Sequence, residues 1–247
     1  MKPKCGKSTL MASLDNNLII DLEDGYRALN VMCVQARNAQ EIFEIKHLIE
    51  EKNKENDGKP FYRFITIDNA TRLEEIALPY AAVLYRRTPM GANWGMKKDK
   101  MGIILKDKNG RAIVDPKADV RQLPNGAGWL YMRSAIKEMV TMFRPLCDTL
   151  ILVCHVKDKQ IKKNDEETTE MSVDMAGKTG DIICGEADAI GYVSRQGNKT
   201  IISFKGGDNN IRGSRPAHLR EKEFVVAESN ADSNVKVDMS KIFLDNK

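Results

Sequence analysis

The chain is short of the side chains that build metal sites. Three histidines are scattered along 247 residues, and no zinc quartet can be assembled from them. The five cysteines, Cys5, Cys33, Cys147, Cys154 and Cys184, are odd in number and contain no C-x-x-C pair. That argues against a disulfide framework, and their mostly apolar settings suit reduced thiols in a cytoplasmic compartment. Long hydrophobic runs are also missing, so no membrane span is expected. Charge of one sign is scarce. A net charge of +4 does not by itself announce a nucleic-acid partner. At this length the chain can bury the core of one large α/β domain carrying insertions.

What is present begins at the first residue. Met1-Lys2-Pro3-Lys4-Cys5-Gly6-Lys7-Ser8-Thr9 fits the phosphate-loop pattern G-x-x-x-x-G-K-[ST], except that its opening glycine falls on Met1. Gly6 lets the backbone approach phosphate oxygens, and successive N–H groups there form an anion-binding concavity. Lys7 brings a point charge to the β/γ-phosphates, and Ser8 offers an oxygen to Mg²⁺. Lys4, Cys5, Gly6, Lys7, Ser8 and Thr9 are the expected nucleotide-binding residues, with Cys5 the one reachable, electropositive thiol. In folds built on this loop a buried strand runs straight into it. We expect that first strand to be missing from this chain and the gene product to extend upstream by about one strand. A chance match in a basic tail is the competing reading, so the rest of the chain must decide.

The order of elements indicates a mostly parallel sheet flanked by helices. Residues 7–14 can form a short helix. Leu18-Ile19-Ile20 runs into Asp21-Leu22-Glu23-Asp24-Gly25 as a buried strand and loop. Asn38 to Glu41 is a capping-box pattern, followed by Ile42, Ile45 and Ile49 on one helical face. Phe64-Ile65-Thr66-Ile67-Asp68 is a second buried strand, with a helix over 71–87 behind it. Residues 126–144 read as another helix, and Thr149 to Cys154 as a third strand capped by His155. An antiparallel hairpin is expected around Gln196-Gly197-Asn198. Residues 1–225 are read as one domain. Residues 226–247 are read as a polar tail, weakly ordered or docked through Ile242-Phe243-Leu244.

In open parallel sheets the ligand lies outside the carboxyl ends of the strands. Three polar residues stand there. Asp68 is placed to orient Mg²⁺ and its water, although it could instead cap the helix that follows. Glu23 is placed to activate the attacking water, although Asp21, Glu23 and Asp24 could form a solvated acidic turn. His155 is placed to sense the γ-phosphate, against the plainer alternative of a structural histidine.

These motifs resemble the RecA-like P-loop ATPases, in particular the compact phage and prophage AAA-type proteins that include RecA-like single-strand annealing proteins. The carriers are the spacing from Lys7 to the D-x-E-x-G at Gly25, the strand ending in Asp68, and Leu152-Val153-Cys154-His155. The resemblance covers roughly residues 1–219 and implies ATP and Mg²⁺ as cofactors. It implies Glu23 and His155 as catalytic residues, with Ser8 and Asp68 on the metal. Its clearest departure is the absent first glycine. It further implies that the segment after the sensor strand is a mobile DNA-contacting loop, here residues 156–173 with Lys157 and Lys159. It implies basic residues that complete a neighbour's site in a homo-oligomer, for which Lys205 and Arg215 are the candidates.

Residues 86–122 are less expected. They carry ten Lys or Arg against four Asp, so this segment alone outweighs the net charge of the chain. Arg86, Arg87, Trp94, Lys97 and Lys98 are candidate DNA contacts, since a cationic segment with an aromatic can track phosphates and stack a base. Asn109-Gly110 between short apolar runs signals a hairpin within it. A solubilising insertion without a ligand is the alternative. The sequence reading is thus an ATPase of phage type acting with single-stranded DNA in recombination, annealing or replication, in the cytoplasm of a bacterial host. Two other readings stay open: a non-hydrolysing DNA-binding module with a vestigial nucleotide site, and an ATPase serving a protein partner.

Overall fold

A computed structural model of the protein describes residues 5–163, 166–230 and 234–244. The first helix, α1 (Lys7–Ala12), starts from Gly6, whose φ of 91° lies in the left-handed region that favours glycine. Strand β1 (Asn17–Asp21) is buried along its whole length, and β2 (Cys33–Gln35) pairs with it. Helix α2 (Ala39–Glu55) opens on a reciprocal cap. Glu41 N–H donates to Asn38 Oδ1 at 3.0 Å, while the Glu41 carboxylate accepts from Arg37 N–H at 2.7 Å. Its Ile42, Ile45 and Ile49 are buried, as the 3.6-residue period requires. Strand β3 (Tyr62–Asp68) leads through a 3-10 turn, Ala70–Arg72, into α3 (Leu73–Arg86). After the basic insertion come α4 (Ala127–Thr141) and β4 (Cys147–Val153).

These four strands form a parallel sheet in the order β2-β1-β3-β4. Side chains alternate across it. Leu18 and Ile20 of β1 and Ile65 and Ile67 of β3 face the core beneath α2, α3 and α4. Ile19 and Val153 face the other way, into a second core shared with α1. The same alternation puts Asp68 on the opposite face from Ile65 and Ile67, the α1 side.

Beyond β4 the structure departs from expectation. The segment read as a mobile loop is a hairpin of β5 (Val156–Lys163) and β6 (Glu166–Val173). Helix α5 (Thr179–Glu186) follows, then β7 (Ala189–Ile190), β8 (Tyr192–Gln196), β9 (Lys199–Ser203), β10 (Gly213–Ser214), β11 (Glu223–Ser229) and β12 (Val235–Val237). The expected hairpin is β8–β9. It belongs to a separate four-stranded antiparallel sheet, β12-β11-β9-β8, and is not a pair appended to the parallel one. A boundary at residue 225 falls inside β11, so the strand and its partner β12 belong to the fold and not to a tail. The chain is docked at Ile242 and Phe243. Ile242 is buried, and the Phe243 ring stands edge-on to Phe64 at 4.9 Å.

The insertion is more ordered than one hairpin. Three short segments close a hydrogen-bonded ring: Lys97 N–H donates to Ile113 O, Ile113 N–H to Leu105 O, and Leu105 N–H to Lys97 O, at 2.8–2.9 Å. Each segment ends in an Asp-led turn, at Asp99, Asp107 and Asp115, spaced eight residues apart. In each turn the Asp side chain accepts from the backbone N–H two residues on, at 2.8–2.9 Å. The positive φ that two of the turns need is supplied by Gly102 and Gly110. The whole is a pseudo-threefold knob, closed where Asp115 N–H donates to Gly95 O at 2.8 Å.

Candidate active site

The carboxyl ends of β1, β3 and β4 meet the start of α1. His155, two residues past β4, stands between Lys7 and Glu23. Its Nδ1 lies 3.5 Å from Lys7 Nζ, and its Nε2 lies 3.7 Å from Glu23 Oε2. The backbone N–H of His155 donates to Thr71 Oγ1 at 3.2 Å, which fixes the strand end against the 3-10 turn before α3. Asn69 Nδ2 reaches Glu23 Oε1 at 3.4 Å. Residues 7, 23, 68 and 155, far apart in sequence, therefore share one site.

The geometry also separates the three acids after β1. Asp21 is buried and turned inward, accepting from Glu23 N–H at 3.0 Å and Tyr26 N–H at 3.3 Å. Asp24 is turned outward to Arg27 and Gln35. Glu23 alone faces His155, so the three do not form a uniformly solvated turn. The helix-cap alternative for Asp68 is taken by its neighbour: Thr71 N–H donates to Asn69 Oδ1 at 2.8 Å. Asp68 itself is 7 % exposed. Burial holds its carboxyl above the usual range, with Asp21 and Glu23 adding to the effect and a Tyr26 hydrogen bond and Lys7 opposing it.

Ser8 and Asp68 supply hard oxygen donors of the kind Mg²⁺ accepts. Among the described residues no three His, Cys, Asp or Glu side chains converge on a cage. A hydroxyl and a carboxylate are donors that suit Mg²⁺, an ion that keeps several waters and takes one or two protein oxygens plus substrate phosphates.

Residues 2–216 match the AAA domain family, most of the 247-residue chain. The chain belongs to the AAA domain family. No curated protein matches it. The AAA match runs from the phosphate loop past β10 and stops short of β11 and β12. It makes the protein an AAA-type P-loop ATPase domain, a class that generally uses ATP and Mg²⁺. No helix among the described residues of this AAA domain is long and apolar enough to cross a membrane.

Other expected residues fall less simply. Lys4 lies outside the described residues. Cys5 is 6 % exposed and packs into the second core, so it is not the reachable thiol; that cysteine is Cys33. The loop runs close to β9 here, where a Cβ on Gly6 would stand 3.4 Å from Thr200 Oγ1. Ser8 and Thr9 lie in the first turn of α1. Trp94 does not present a free ring: it is half-buried and stands edge-on to Tyr85 at 5.4 Å, anchoring the knob. Arg86 is half-buried as well, and Arg87 lies over the Tyr80 ring, while Lys97 and Lys98 are exposed. Lys157 donates to Met175 O at 2.5 Å, and Lys159 pairs with Asp181 at 3.3 Å. Lys205 pairs with Glu223 at 2.9 Å and Arg215 with Asp188 at 3.0 Å, all four on the surface. Sequence reasoning missed Tyr26, Asn69 and Thr71, which touch Asp68, Glu23 and His155 across the sheet. A phenol one residue past D-x-E-x-G was the only local signal.

Proposed function

We propose that this AAA domain is a RecA-like ATPase, of the phage and prophage single-strand annealing kind, whose turnover is coupled to single-stranded DNA. The observation that carries the reading is the Lys7–His155–Glu23 contact, which joins the phosphate loop, the water-activating acid and the strand end in one line. Bound Mg²⁺ would draw charge from the phosphates at Ser8 and Asp68. Lys7 holds the β/γ-phosphates and stabilises charge that develops on them. Glu23 takes the proton of the attacking water. His155 lies where it reads the γ-phosphate through Lys7 and Glu23, and the next residue starts β5. The β5–β6 hairpin is thus attached directly to the group that senses nucleotide.

The DNA half of the proposal rests on charge. Lys97, Lys98, Lys106 and Lys108 are exposed on the knob, where they can follow a phosphate backbone. Lys205 and Arg215 would leave their surface ion pairs to reach a neighbour's phosphates in a homo-oligomer. The test is ATP hydrolysis with and without single-stranded DNA, for wild type and Lys7→Ala. Turnover raised by DNA and lost in Lys7→Ala is the expected result. Hydrolysis that survives Lys7→Ala overturns the site. DNA binding without any hydrolysis favours the non-hydrolysing module, and turnover indifferent to DNA favours a protein partner.

A further inference from the structure

We infer that Tyr26 is a positioning residue for the metal, its phenol setting the carboxylate that would hold Mg²⁺. The inference rests on the reading of Asp68 as a metal-holding residue. Tyr26 O–H donates to Asp68 Oδ2 at 2.5 Å. A phenol has one proton to give, and at neutral pH it keeps it. The bond therefore runs one way, from Tyr26 to Asp68. It fixes one Asp68 oxygen and leaves the other for a cation.

Both the ring and the backbone of Tyr26 are held. Tyr26 is 4 % exposed and packs in the second core with Leu10, Met11 and Ile19. Its N–H donates to Asp21 Oδ2 at 3.3 Å, and its carbonyl accepts from Leu29 N–H at 2.9 Å. A side chain held in this way cannot swing aside as a gate would. It acts as a fixed donor, and donors of this kind orient a metal-binding carboxylate and tune the affinity of the site. Asp68 is buried, so its carboxylate meets the phenol where an exposed acid would meet water.

Tyr26→Phe keeps the ring and removes only the O–H. Binding of a fluorescent ATP analogue would be measured in EDTA and across a Mg²⁺ titration, with thermal melting followed alongside. The expected result is unchanged binding in EDTA and a Mg²⁺ half-saturation raised on the order of 10–100-fold. In an Asp68→Asn background the same substitution should add little, because the two groups act as one unit. An unchanged half-saturation makes the phenol a core filler and overturns the inference. A lowered one makes it a competitor of the metal and overturns it equally. If the wild type shows no Mg²⁺-dependent nucleotide binding, the ATPase reading falls and takes this inference with it. Intact wild-type dependence with an indifferent Tyr26→Phe removes the inference alone.

Discussion

Glu23 and Asp68 show how position outweighs composition at the scale of one residue. Four acids stand near the ends of β1 and β3, yet each has a different task. Asp21 satisfies two backbone N–H groups, Asp24 holds Arg27 and Gln35, Asp68 meets a phenol, and Glu23 meets His155. Glu23→Gln keeps the shape and removes the base. We expect ATP turnover to fall on the order of 10²–10⁴-fold while nucleotide binding persists, measured by steady-state hydrolysis and by analogue binding. Unchanged turnover would assign water activation to another group. Glu23, Asp68 and His155 were legible because each ends or follows an apolar run, where the parallel-sheet rule places ligands. Tyr26 was not, because its contact with Asp68 spans 42 positions and leaves no local pattern.

The elements were legible wherever one face had to be buried. Helix α2 announced itself by its cap and its isoleucines, and β1 and β3 by unbroken apolar runs. The β5–β6 hairpin did not, because its residues are charged on both strands. Its cross-strand register places Lys159 opposite Glu170, so pairing rests on opposite charges and backbone bonds more than on an apolar face. Close packing between elements is equally silent in sequence. A Cβ at Gly128 of α4 would lie 1.8 Å from the Val120 carbonyl oxygen, so no side chain fits there without moving the backbone. Gly128→Ala should destabilise the fold by about 1–3 kcal/mol, read from chemical denaturation. A smaller effect would mean that α4 and the insertion root can shift apart. Charge joins α4 to α5 nearby, where Glu186 lies 2.6 Å from Lys137 and 2.9 Å from Arg144. Those cations hold its carboxyl below the usual range, Lys137 foremost. A lowered acid contributes its stability above the unfolded-state pKa and loses it as pH falls through the folded one. Glu186→Gln should therefore lower Tm slightly at pH 7, and the gap to wild type should close under acid. A gap that persists at acid pH would point to packing instead.

At the scale of the molecule two cores share the parallel sheet, and a cationic knob stands off it. The first core, with α2, α3 and α4, was readable from periodicity. The second joins α1 to the antiparallel sheet through Ile19, Val193, Ile202 and Val226, strands too short and too distant in sequence to be assigned to one another beforehand. The eight-residue spacing of Asp99, Asp107 and Asp115 was in the sequence all along. Asn109-Gly110 is a turn signal for only one of the three turns, so it suggests a single hairpin. The threefold closure matters for the proposed partner. It fixes the backbone that carries Lys97, Lys98, Lys106 and Lys108, so these charges are displayed on a rigid support and not on a collapsing loop. If they touch DNA phosphates, replacing all four with alanine should weaken single-stranded DNA binding without regard to base sequence. The slope of log affinity against log salt should fall by about 0.7 for each phosphate that is no longer neutralised, measured by fluorescence anisotropy at several salt concentrations. A slope that does not change would take the knob off the DNA path and leave the β5–β6 hairpin as the surface to test. A slope that falls while the Mg²⁺ dependence of nucleotide binding stays fixed would show two separate sites, one reading phosphates along a strand and the other at the phosphate loop.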